Sequence, residues 1–158
     1  MPNTDLWAFA LACYARPGVE SACLALQAHG ADVCLLLCAA WLEARGIACT
    51  PPRRQRLEEL ARPWQEQVVR PLRQLRQDWR TPAGTDAALH DLRETLKALE
   101  LEAERALLLK LQETSRDWQP GSEPPEWLAQ LEPAEDCRAA LETLRHAARQ
   151  TQLGLLGA

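Results

Sequence analysis

Apolar residues recur every three to four positions over long stretches of this chain and nowhere alternate, which is the pattern of helices rather than strands. The first stretch begins where Thr4 or Asp5 can cap a helix and runs to about Ala15, where Arg16-Pro17-Gly18 breaks it. A second runs to about Ala28. Gly30 then supplies a left-handed closing residue, and His29 sits where a cation suits the helix dipole. Asp32 caps a third helix over 33–45, closed by Gly46. Residues 1–49 therefore read as a compact unit of three short helices.

Two longer stripes follow. Leu57, Leu60, Trp64, Val68, Leu72, Leu75 and Trp79 keep helical spacing through Pro63 and Pro71, so 52–80 reads as one helix that the prolines kink without ending. After the loop "TPAGT", Leu89, Leu92, Leu96, Leu99, Ala103, Leu107 and Lys110/Leu111 predict a helix over 86–117. Residues 52–117 would thus form a long helical hairpin. A proline-rich linker covers 119–132, and a C-terminal helix is predicted over 133–153, starting at Pro133. The expected fold is all-α: one domain over 1–158, an irregular bundle of about five main helices around a kinked central one.

Composition agrees. At 158 residues the chain is long enough for one domain with a full core, and it is rich in Leu and Ala and poor in β-branched residues. The net charge of −4 conceals segregation: 53–80 hold eight Arg against four acids, 81–158 hold eight basic and fourteen acidic residues, and 1–52 hold two and four. A polyanion would be repelled by the whole and attracted only by a local patch. "LWAFALACYA" is apolar enough for a leader, but no basic residue precedes it, and "VCLLLCAAWL" is about half a membrane span in length. A cytoplasmic, bacterial protein with reduced cysteines is expected.

Candidate chemistry is sparse. Cys34 and Cys38 lie one turn apart, but leucines surround them and a metal would need two more ligands, which favours core packing. His29, His90 and His146 form no metal-binding or catalytic spacing, and no nucleophile elbow or phosphate-binding glycine loop occurs. Cys13, His29 and Asp32 can be assembled on paper into a nucleophile, base and orienter, a combination that carries little weight with six cysteines to choose from. Glu100 and Glu104 lie on one flank of the 86–117 stripe. They lack the Glu-x-x-His partner of di-metal bundles and read as a solvated face pairing with arginines of the preceding helix. Arg70, Arg73, Arg76 and Arg80 share an arc beside the 52–80 stripe, suited to bidentate contact with carboxylate or phosphate. Trp118 and Trp127 flank the linker and are expected to pin it to the body.

Residues 6–42, together with "VVRPLRQLR" and "ELEAER", resemble a family of short proteobacterial proteins defined only as a domain of unknown function. The resemblance rests on Trp7, Tyr14, Pro17, Gly18, Gly30, Asp32, Pro71, Arg73 and Arg76, and implies a small cytosolic helical protein with no activity attached. The family pattern carries Asn at the position of Cys34 and a bulky apolar residue near Cys38, so those cysteines belong to this chain alone.

The expectation is a non-enzymatic helical adaptor or regulatory protein that binds another protein through Arg70, Arg73, Arg76 and Arg80 with the nearby Trp79. The alternative is a small anionic ligand, phosphate or carboxylate, in a pocket near Asp32, Arg73 and Arg76. RNA binding ranks third, because the acidic whole opposes it. The sequence calls for no catalytic residue, metal or cofactor.

Overall fold

A computed structural model describes residues 5–157, so the capping alternative at Thr4 lies outside the described residues. The chain is all-helical, with no strand among the described residues. Its helices are α1 (Leu6–Tyr14), α2 (Val19–Ala28), α3 (Val33–Ala44), α4 (Pro51–Trp64), α5 (Arg70–Asp78), α6 (Ala87–Ser115), α7 (Trp127–Gln130) and α8 (Arg138–Gly157). A π-helical turn, Gln65–Val69, joins α4 to α5 without a break. Counting α4 to α5 as one rod gives seven helices among the described residues rather than about five. The three short N-terminal helices, the rod, α6 and α8 correspond to predicted stretches, and the helix not foreseen is the short α7 inside the predicted linker.

Side chains set most of the boundaries. Asp5 accepts from the Trp7 N–H, Asp32 from Leu35, Thr50 from Arg53 and Asp86 from Leu89, each satisfying a donor that the first helical turn leaves open. Gly30 and Gly46 close α2 and α3 with φ of 87° and 75°, a conformation that costs glycine little.

The core centres on α3, which is buried nearly all round from Leu36 to Leu42 and touches α1, α2, α4, α6, α7 and α8. The three N-terminal helices thus share one core with α6 and α8. That core includes Phe9, Leu26, Trp41, Leu107, Leu111, Trp127 and Leu144. The predicted linker is partly structured. Trp127 opens α7, stacks on Trp118 at 6.0 Å between ring centroids, and donates its indole N–H to the Ile47 carbonyl at 2.7 Å. A 3-10 turn, Glu135–Cys137, precedes α8, which starts at Arg138 rather than Pro133 and ends at Gly157 rather than 153.

The central rod departs most from its predicted stripe. Leu57, Ala61, Gln65 and Val69 are the buried positions, four residues apart, and none is buried in α5. Leu60, Trp64, Val68, Leu72 and Trp79 are only half-buried, and Leu75 is 41% exposed. Beyond Trp64 the π-turn is the reason. It adds a residue to the winding, and one residue is about 100° of rotation, so the face of α5 turned inward is not the one a regular helix would present. Neither Pro63 nor Pro71 has an N–H to donate, and the Arg70 N–H reaches back five residues to the Gln65 carbonyl.

Candidate functional site

The rod and α6 run antiparallel: Trp64 lies against Ala103, Arg73 and Arg76 against Glu100, and Arg93 against the Arg76 carbonyl. The rotated face brings Arg73 and Arg76 inward onto α6. Arg73 donates Nε to Glu100 Oε2 at 3.2 Å and places a terminal nitrogen 3.7 Å from Glu104 Oε1. Arg76 donates Nε to Glu100 Oε1, so one carboxylate takes both guanidiniums. Gln27, its amide oxygen turned toward Arg73, accepts from both terminal nitrogens at 2.9 and 3.1 Å. The pairing expected from sequence is therefore present, but Glu100 is not solvated. It is 6% exposed, whereas Leu92 and Leu99, expected on the buried stripe, are 57% and 53% exposed. Two guanidiniums at this position outweigh a leucine, because a buried carboxylate persists only when paired.

This ion cluster floors a cleft of about 770 Å³ between α1, the end of α2, the start of α3, the π-turn, α5 and α6. Asp32 is part of its lining. While capping α3, its Oδ1 also accepts from the Gln65 side chain at 2.7 Å, and Oδ2 is buried with no hydrogen-bond partner among the described residues. Burial raises its pKa to about 6, against the pull of the Leu35 and Cys34 N–H groups, Gln65 and Arg73. Burial, and then Glu100, also raise the Glu104 pKa. The walls are apolar. Leu11, Tyr14, Leu24 and Leu101 line the cleft and keep large exposed surfaces.

Of the residues singled out by sequence, Asp32, Arg70, Arg73 and Arg76 line this cleft. Arg70 is exposed and makes no ion pair among the described residues. Arg80 lies elsewhere, in a second cleft with Arg76, Gln77, Arg93 and Lys97, and Trp79 borders neither. Six of the nine residues that carry the family resemblance, Trp7, Tyr14, Gly30, Asp32, Arg73 and Arg76, meet in the first cleft. Sequence reasoning did not anticipate Gln27, Gln65 or the leucine walls, which carry no local signal.

The cysteine arrangements fare differently. Cys34 and Cys38 are buried in the core, and burial pushes both thiols well above their ordinary value. Cys23, likewise buried, is pushed up to about 12. The Cys13–His29–Asp32 triad does not form: Asp32 engages Gln65, while His29 lies 3.8 Å from Asp136 on the outside. No helix of the described residues is long and apolar enough to cross a membrane.

A family model described as "Protein of unknown function (DUF2390)" matches residues 5–111, which include every element that lines the cleft. No curated protein and no solved structure matches the chain.

Proposed function

The chain belongs to the DUF2390 family, and we propose that it is a binding protein for a small amphipathic anion held in the cleft above Asp32, Arg73 and Arg76. The observation that carries this reading is one concave site pairing a polar, charged floor with exposed leucine walls. Its volume lies within the range of about 300–1,000 Å³ typical of small-molecule sites. Glu100 and Glu104 already hold Arg73 and Arg76, so these two arginines shape and polarise the floor. Arg70 is the cation left to meet a carboxylate or phosphate, and the leucines take an apolar tail.

Isothermal titration with octanoate, octyl phosphate, octanol and acetate tests this. Octanoate or octyl phosphate should bind saturably and more tightly than either half alone. Arg70→Ala should weaken that binding about fivefold, as an exposed ion pair would. No saturable binding by any of the four would overturn the reading.

The adaptor reading keeps one observation of its own: Arg76, Arg80, Arg93 and Lys97 converge on a second cleft, where Arg80 makes no ion pair among the described residues. An acidic protein segment is the partner that suits it. A pull-down in which Arg80→Glu/Arg93→Glu recovers the same proteins as the unmodified chain would count against this surface.

A further inference from the structure

We propose a divalent transition-metal site, best suited to Zn²⁺, formed by His29, Asp136 and Cys137 and independent of the binding reading above. One ligand atom from each residue lies within 4.8 Å of the others, and the imidazole Nε2 is 3.8 Å from Asp136 Oδ2. A tetrahedral ion with bonds of about 2.0–2.3 Å spaces its ligands about 3.3–3.8 Å apart, so small side-chain rotations close the site. Imidazole, thiolate and carboxylate are the donors Zn²⁺ takes, and water would complete the four.

The trio spans more than a hundred residues of sequence and is fixed by backbone at both ends. His29 is the C-cap of α2, and Asp136 and Cys137 end the 3-10 turn that leads into α8. Since α2 packs on α8, the two ends meet as a consequence of the core. Cys137 is buried while His29 and Asp136 are exposed, so an ion would enter from solvent and rest against the sulfur.

Glu132 nearby is half-buried, and its Oε1 accepts no hydrogen bond among the described residues but lies 4.0 Å from Arg138 Nε. Asp136 makes no ion pair with a lysine or arginine among the described residues; only the His29 imidazole lies beside it. Metal binding takes the thiol as its thiolate. The Cys137 S–H proton leaves to solvent, and the thiolate lone pair bonds the ion.

Titration of the full chain with Co²⁺, read by absorption, and with Zn²⁺, read calorimetrically, tests the site. The unmodified chain should bind one equivalent and develop a near-ultraviolet thiolate-to-cobalt band. Cys137→Ser should abolish the band. His29→Gln should weaken Zn²⁺ by more than the about 10–100-fold that loss of a supporting group costs. Cys49→Ser, at the half-buried cysteine, should leave both unchanged. Absence of binding, or a band and affinity that survive Cys137→Ser or His29→Gln, would overturn the proposal. His29 is an exposed side chain, so its variant keeps the test decisive even where the Cys137 variant folds poorly.

Discussion

At the residue scale, the decisive feature is a carboxylate buried between two guanidiniums. Glu100 fixes Arg73 and Arg76 together, and removing it leaves two cations half-buried with a single weaker acid, Glu104, close to one of them. Glu100→Ala should therefore destabilise the fold by about 3–5 kcal/mol, the usual cost of breaking a buried pair from one side, measured by urea unfolding. Asp32 gives a prediction in pH. The folded protein holds its proton up to about pH 6, whereas the free side chain releases it near 3.8. The folded form thus binds more protons between those values. The stability this group supplies is full below about pH 3.8 and is lost as pH rises through about 6. Asparagine preserves the oxygen that caps α3 and receives Gln65, but it does not titrate. Asp32→Asn should therefore gain stability relative to the unmodified chain as pH rises from 4 to 7, in chemical unfolding at a series of pH values. A constant difference across that range would refute it.

At the element scale, the π-turn sets which side of α5 faces the protein. The residues of 52–80 leave a regular helix and a helix with one widened turn equally open, because the stripe of Leu57, Trp64, Val68 and Leu72 fits the first while the prolines permit the second. Burying Gln65 against Asp32 and drawing both arginines onto Glu100 favours the widened turn. Deleting Gln67 should restore regular winding and rotate α5 by about 100°. The expected result is loss of octanoate or octyl phosphate binding with helical content retained, read by titration and circular dichroism. Unchanged binding would show that the cleft does not depend on the turn. The amphipathic pattern of α6 misleads for a related reason: Glu100 takes an inward position that the leucine repeat assigned to Leu99. Spacing records apolarity and cannot register that an opposing helix supplies charge.

At the scale of the whole molecule, α8 and the segment before it complete a core whose cleft is built by residues 5–111. Trp127 is the pin expected of an aromatic beside a proline-rich stretch: fully buried, stacked on Trp118 and bonded to Ile47. Trp127→Ala should cost about 3–5 kcal/mol in urea unfolding, the range for emptying a buried tryptophan site. A second ion pair, the half-buried Glu43 with Arg145 at 2.7 Å, ties α3 to α8, and nothing in the spacing of either residue announces it.

The sequence by itself determined the helical class, the cap at Asp32, the closing glycines, and the burial of Cys34 and Cys38. Each depends on residues within a few positions of one another, where propensity, capping and apolar periodicity act directly. It also brought Asp32, Arg73 and Arg76 forward as the charged residues of interest. Only the tertiary structure decided that they share one cleft with Arg70, that Arg80 and Trp79 stand outside it, that leucines wall it, and that His29 meets Asp136 and Cys137. Those outcomes follow from the rotation of α5, the burial of Glu100 and the packing of α8 on α2, which are contacts between segments far apart in the chain. Their energies depend on what faces each residue across the interface, and a residue's near neighbours in sequence do not carry that information.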